Sequence, residues 1–91
     1  MIARIIGGGQ YRIADDALAH LNQLDDAVVA AVATGRESDF RAAFEALLAA
    51  VRSKGALVPP TEFVTSELVL PYEGITLAEA QDIFVGQGLI P

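Results

Sequence analysis

The chain has 91 residues, no cysteine and a net charge of −6, from twelve acidic against six basic residues. A length below the roughly 100–150 residues of a typical domain predicts a single domain over residues 1–91. The missing cysteines exclude disulfides, thiolate metal ligands and cysteine nucleophiles, and the scattered basic residues disfavour nucleic acid and anionic lipid, whose binding needs clustered Lys and Arg.

The hydrophobic fraction of 53% is high for so short a chain, although much of it is alanine. A chain of this size buries only about 60–65% of its unfolded surface, so the margin for folding alone is thin. Pairing with another protein or with a second copy would hide the surplus apolar surface, and a homo-oligomer is one expectation. No segment approaches the ~18 uninterrupted apolar residues of a membrane span. The apolar run at 1–6 is too short for the core of a signal peptide. The expectation is a soluble, cytoplasmic protein that does not itself insert into membranes.

The first fifteen residues, MIARIIGGGQYRIAD, are the most informative. Alternating residues at 1–6 and 10–13 flank Gly7, Gly8 and Gly9, which supply the positive φ angles of a tight hairpin turn. The alternation puts Ala3 and Ile5 on one face of the first strand, with Ile2 and Arg4 on the other. On the return strand Tyr11 and Ile13 share a face, and Gln10 and Arg12 point the other way. The triple glycine is not a phosphate cradle, because Gln10 and Tyr11 follow it where a P-loop requires Lys and Ser or Thr.

A first helix is expected to begin at Asp15 or Asp16, where a carboxylate caps free backbone N–H groups, and to run to about Thr34. Leu18, Leu21, Leu24 or Asp25, Val28 and Val32 recur at three- and four-residue steps as its apolar stripe. Gly35 suits its C-cap. A second helix starts near Arg36 or Ser38 and ends at Arg52, Lys54 and Gly55. Its inner stripe is Phe40, Phe44, Leu47, Leu48 and Val51. So short a link makes the two an antiparallel helical hairpin.

Pro59 and Pro60 forbid further helix, and residues before each proline favour extended backbone. Residues 62–71 suit a strand or extended lid, with Leu68 and Leu70 on one side. Thr76 and Glu79 have the spacing of a capping box, which opens a short third helix over 77–85. That helix is expected to turn Leu77, Ala80, Ile83 and Phe84 inward and to end at Gly86 or Gly88, before an apolar tail at 89–91. The architecture is therefore α+β: an N-terminal β-hairpin, a helical hairpin, then an extended segment and a short C-terminal helix.

No catalytic constellation emerges. Asp15–Asp16 and Asp25–Asp26 are adjacent pairs, and helix neighbours sit about 100° apart, so neither pair converges on a metal. Asp15–Asp16 reads as a cap and Asp25–Asp26 as part of the solvated flank of the first helix. His20 has no nucleophile or acid at motif spacing and reads as a surface or boundary residue. No cofactor is expected. The alanines at 27, 30, 31, 42, 43, 46, 49 and 50 serve either as helix-forming filler or as a flat contact for another helix. The segment 68–72 either accepts a partner by strand addition or completes the core, and the small core expected at this size favours the latter. Candidate interaction residues are Arg4, Tyr11 and Arg12 on the hairpin and Leu68, Leu70 and Tyr72 on the extended segment.

Several pieces in order resemble one family. They are RIIGGGQY at 4–11, LNQLDDA at 21–27, FRAAFEALL at 40–48, SELVLP at 66–71, TLAEA at 76–80 and GLIP at 88–91. Together they are similar to the PspA-associated proteins, PspAA, of actinobacteria and some archaea. The resemblance implies an accessory of the phage-shock envelope-stress response. Its partner would be PspA, a coiled-coil, ESCRT-III-like protein that protects and remodels stressed membranes. The resemblance carries no catalytic residues. It implies a non-enzymatic interaction module, cytoplasmic and brought to membranes only through its partner. The alternative is a small winged-helix-like DNA-binding domain, against which the acidic balance counts. A small hydrolase or ligand-binding protein ranks last, since it needs a pocket with convergent polar groups.

Overall fold

The structure, a computed structural model, describes residues 1–83. The expected end of the third helix beyond 83, with Phe84, Gly86, Gly88 and the tail at 89–91, lies outside the described residues. The architecture is the expected α+β one. Strands β1 (Ile2–Ile5) and β2 (Gly9–Arg12) form an antiparallel hairpin that sets Ala3 against Tyr11 and Arg4 against Gln10. The turn closes with the Gly8 N–H donating to the Ile5 carbonyl at 2.8 Å. Gly7 at φ 77° and Gly9 at φ 87° take the left-handed conformations that the glycine run supplies.

After the hairpin the ladder persists to Ile13, which exchanges backbone hydrogen bonds with Met1. The chain then enters a 3₁₀ turn, Asp15–Ala17, and α1 begins only at Leu18, running to Thr34. Neither aspartate caps a helix, contrary to the expectation: the cap positions are Ala14 and Ala17, and no side chain bonds to either free end. Only Ala14 separates the end of the ladder from the 3₁₀ turn, through which the backbone enters the helix. Both carboxylates still lie near the positive end of the helix dipole.

Helix α2 (Glu37–Lys54) follows after Gly35 and Arg36 and folds back along α1. Gly35 adopts φ 72° and its N–H donates to the carbonyls of Ala31 and Val32, closing α1 as expected. Phe40 and Phe44 stack with ring centroids 5.5 Å apart, at the centre of the buried stripe of α2. Of the two expectations for position 25, a place in the inner stripe of α1 or on its solvated flank, the structure shows the first. Asp25 is 1% exposed, between Leu21 and Val28 on the buried face, whereas Asp26 is exposed. The periodicity that buries Leu21, Val28 and Val32 passes through position 25, and the single step to 26 rotates out of the core.

A two-residue strand, β3 (Ala56–Leu57), pairs with β2, and β4 (Leu68–Leu70) pairs parallel to β1. The sheet order is β3-β2-β1-β4, so β4 reaches β1 only after the whole helical hairpin and the proline segment. The sequence did not separate β3 from the proline break. Its regular pairing stops within two residues of Pro59, so it leaves no period to read. The extended segment expected over 62–71 shrinks to three paired residues for a related reason. Its first part crosses the sheet instead of joining it: the Gln10 side-chain amide donates to the Val64 carbonyl and to the Ser66 hydroxyl.

Helix α3 (Leu77–Ile83) starts at the predicted capping box. The Glu79 N–H donates to the Thr76 hydroxyl, and the Thr76 N–H donates to the Glu79 carboxylate, both at 3.1 Å. Ala80 is buried and Leu77 packs against the core, but Ile83 faces solvent, against the expectation. One contiguous core joins Ala3, Ile5, Leu68 and Leu70 of the sheet to the inner stripes of α1 and α2. The helices therefore cover one face of the sheet and leave the other for the crossing segment and for contacts outside.

Candidate interaction surface

The free face of the sheet is set by strand register. In β1 and β4 the residues pair Ala3 with Leu68, Arg4 with Val69 and Ile5 with Leu70. Paired residues share a face, so Ala3, Ile5, Leu68 and Leu70 point to the helices, and Arg4 and Val69 point away. Leu68 and Leu70 are 3% and 0% exposed and complete the core, as the blander reading of the segment expected. Both stood among the candidate contact residues, yet neither is open to a partner. The outward position on that strand is Val69, 49% exposed, which sequence reasoning passed over. The alternation L-V-L could have found it, once the leucines were assigned to the core.

The remaining candidates separate. Tyr11 is half-buried against the core on the helix side. Arg12 is exposed and forms an ion pair with Glu62, which ties the crossing segment to β2. Arg4 is exposed and makes no ion pair among the described residues. It lines a depression of about 640 Å³ with Gln10, Leu57, Val64 and Phe63, the last 96% exposed. Tyr72 lies two residues beyond β4, away from that depression's lining. It borders a smaller apolar groove of about 290 Å³ formed by Ile6, Val69, Ile75 and Ile83, with Glu79 at its lip. The six candidates thus do not form one site: Arg4 and Tyr72 border two hollows on the free face.

The electrostatics of the smaller groove follow from the capping box. Hydrogen bonds from the Thr76 N–H and hydroxyl hold the Glu79 carboxyl below its ordinary value of 4.5. The Tyr72 hydroxyl donates to the same carboxylate at 3.2 Å. That negative charge disfavours a phenolate and raises the Tyr72 pKa above 10.0. The connection from β4 to α3 is held from the helix side. Arg41 donates to the carbonyl oxygens of Glu73 and Ile75, and Arg52 pairs with the Glu73 carboxylate at 3.0 Å.

A third hollow, about 600 Å³, lies between α1 and α2 and is floored by Ala27, Ala30, Ala42 and Ala46. The alanines therefore keep an open, shallow face on the helical hairpin. His20 is exposed. Among the described residues no three His, Asp or Glu side chains come together as a metal site, and no helix is long and apolar enough to cross a membrane.

No curated protein and no solved structure matches the chain significantly. The family model described as PspA-Associated protein matches residues 1–91, the full sequence, in agreement with the resemblance carried by its ordered motifs. With its β-hairpin, helical hairpin and capped third helix, this chain belongs to the PspA-associated protein family.

Proposed function

We propose that the chain is a non-catalytic interaction module of a PspA-type membrane-stress response, acting by binding PspA or a companion protein in the cytoplasm. The observation that carries the reading is membership of the PspA-associated family over the whole sequence. The surface supports it. Exposed apolar side chains, Ile6, Val69, Tyr72, Phe63 and Ile83, accompany a net charge of −6. An acidic field attracts basic faces of a partner and repels nucleic acid and anionic lipid. In this reading the protein competes with anionic membrane for the basic faces of its partner and reaches the membrane only through it.

Co-purification tests the reading. A tagged chain expressed in cells that carry its own PspA is expected to retain PspA on the resin, more strongly at low salt than at high. Failure to retain PspA or the product of a neighbouring gene, at both low and physiological salt, would overturn it.

A further inference from the structure

Where the hollow between α1 and α2 is lined mostly by alanine, the hollow beside β4 is lined by large apolar side chains that stand exposed and are held in shape. Ile6, Val69, Tyr72 and Ile83 line it, and each is between 43% and 49% exposed, so apolar surface stands in water along one continuous strip. The lining is fixed from behind. The Ile6 N–H donates to the Leu70 carbonyl at 3.0 Å, Val69 lies in the parallel ladder with β1, and Tyr72 is held by Glu79. A preformed site of this kind orders little on binding, which leaves more of the contact energy as affinity. Among the described residues β4 pairs with β1 alone, so its outer edge adds unpaired backbone groups beside the strip.

Charge selects the occupant. Glu79 forms the lip of the groove, and Asp82 lies three residues on along α3, next to Ile83. Neither is ion-paired among the described residues. Among the described residues no basic side chain lines the groove, and those that hold the β4–α3 connection are committed: Arg52 to the Glu73 carboxylate, and Arg41 to the carbonyls of Glu73 and Ile75. Arg4 stands across from Val69 but lines the other depression. A second copy of this chain would bring an acidic lip against an acidic lip. The complementary occupant is apolar in the middle and basic at its flanks.

We propose that the groove formed by Ile6, Val69, Tyr72 and Ile83 is the docking site for an apolar segment of a partner protein flanked by Lys or Arg. The inference deepens the proposed function by naming the surface and the chemistry of the segment, and it rests on that reading only for the identity of the partner.

Amide chemical-shift mapping on the full chain tests it, with an amphipathic peptide of leucine and lysine and its leucine–glutamate counterpart as probes. The Leu/Lys peptide is expected to shift Ile6, Val69, Tyr72 and Ile83. Its affinity should fall at least about tenfold in the Val69→Ser variant, and the Leu/Glu peptide should bind at least as much more weakly. Val69 is exposed, so that variant keeps its fold and its spectrum checks this directly. Shifts confined to the alanine face of α1 and α2, equal binding of both peptides, or no binding would overturn the proposal. So would contacts from the groove methyls to residues 84–91, or to a second copy, in the free protein. Titration with PspA separates the two readings. Equal binding to wild type and Val69→Ser would sink the groove and keep the function. Peptide mapping to the groove without PspA binding would do the reverse.

Discussion

The guanidinium of Arg41, in the first turns of α2, donates to the backbone carbonyl of Glu73 at 2.6 Å, and also to that of Ile75. One side chain thereby fastens the connection between β4 and α3 to the helical hairpin and holds Ile75, 2% exposed, in the core. Hydrogen bonds to a charged donor contribute about 1.5–3 kcal/mol each where they are shielded, and Arg41 is half-buried, with its bond to Glu73 exposed, so the lower end applies.

Arg41→Ala should therefore lower stability by about 1–2 kcal/mol, and Arg41→Lys should recover only part of it, because an ammonium lacks the fork that spans both carbonyls. Denaturant melts measure the loss. Amide exchange at Ile75 and Ala80 should accelerate more than exchange in α1, which localises the effect.

The capping box makes α3 sensitive to acid. The Glu79 carboxyl is held below its ordinary value by the Thr76 hydrogen bonds. A lowered pKa in the folded state means that the contribution is complete above the ordinary value of 4.5 and disappears as pH falls through the lowered one. The Thr76 amide resonance should report this transition, and Glu79→Gln should remove it. Thr76→Ala should cost about 0.5–2 kcal/mol at neutral pH, the usual loss for a helix cap.

Tyr72 offers an independent readout of the same contact. Its phenol pKa is raised by the Glu79 charge, so alkaline absorbance titration of a Tyr11→Phe variant should place the remaining tyrosine above 10.0. Adding Glu79→Gln should bring it back down. No change between the two variants would show that the Tyr72–Glu79 contact is absent in solution.

Two glycines that close the helices should respond differently to a methyl group. At Gly35 nothing lies within 4 Å of an added Cβ, and the cost of Gly35→Ala is that of the left-handed φ alone, about 1–2 kcal/mol. At Gly55 the backbone is extended, but a Cβ would stand 2.7 Å from the Val51 carbonyl oxygen and 2.9 Å from Tyr11 Cβ. Gly55→Ala should be the more damaging, since the end of α2 must move away from β2. Paired thermal melts decide the order.

What could be read from the residues in advance was local. The Thr76–Glu79 box, the glycine turn and the Gly35 cap each depend on a few neighbouring positions, and all three stand as expected. The apolar stripes of α1 and α2 were equally legible, because helical period alone sets them. Asp25 was not, since residue type argued for solvent while period argued for the core, and packing decided. β3 and the true extent of β4 depend on pairing with β2 and β1 from far along the chain. The candidate surface failed at the same point. Only the register with β1 turns Leu68 and Leu70 into the core and leaves Val69 as the outward residue between them.

Direct binding between the purified chain and the PspA of its own genome, followed by calorimetry at low and physiological salt, tests the central claim most directly. Saturable binding that weakens as salt rises is the predicted result. Absence of heat and of complex at both salts, with both proteins folded, would contradict it.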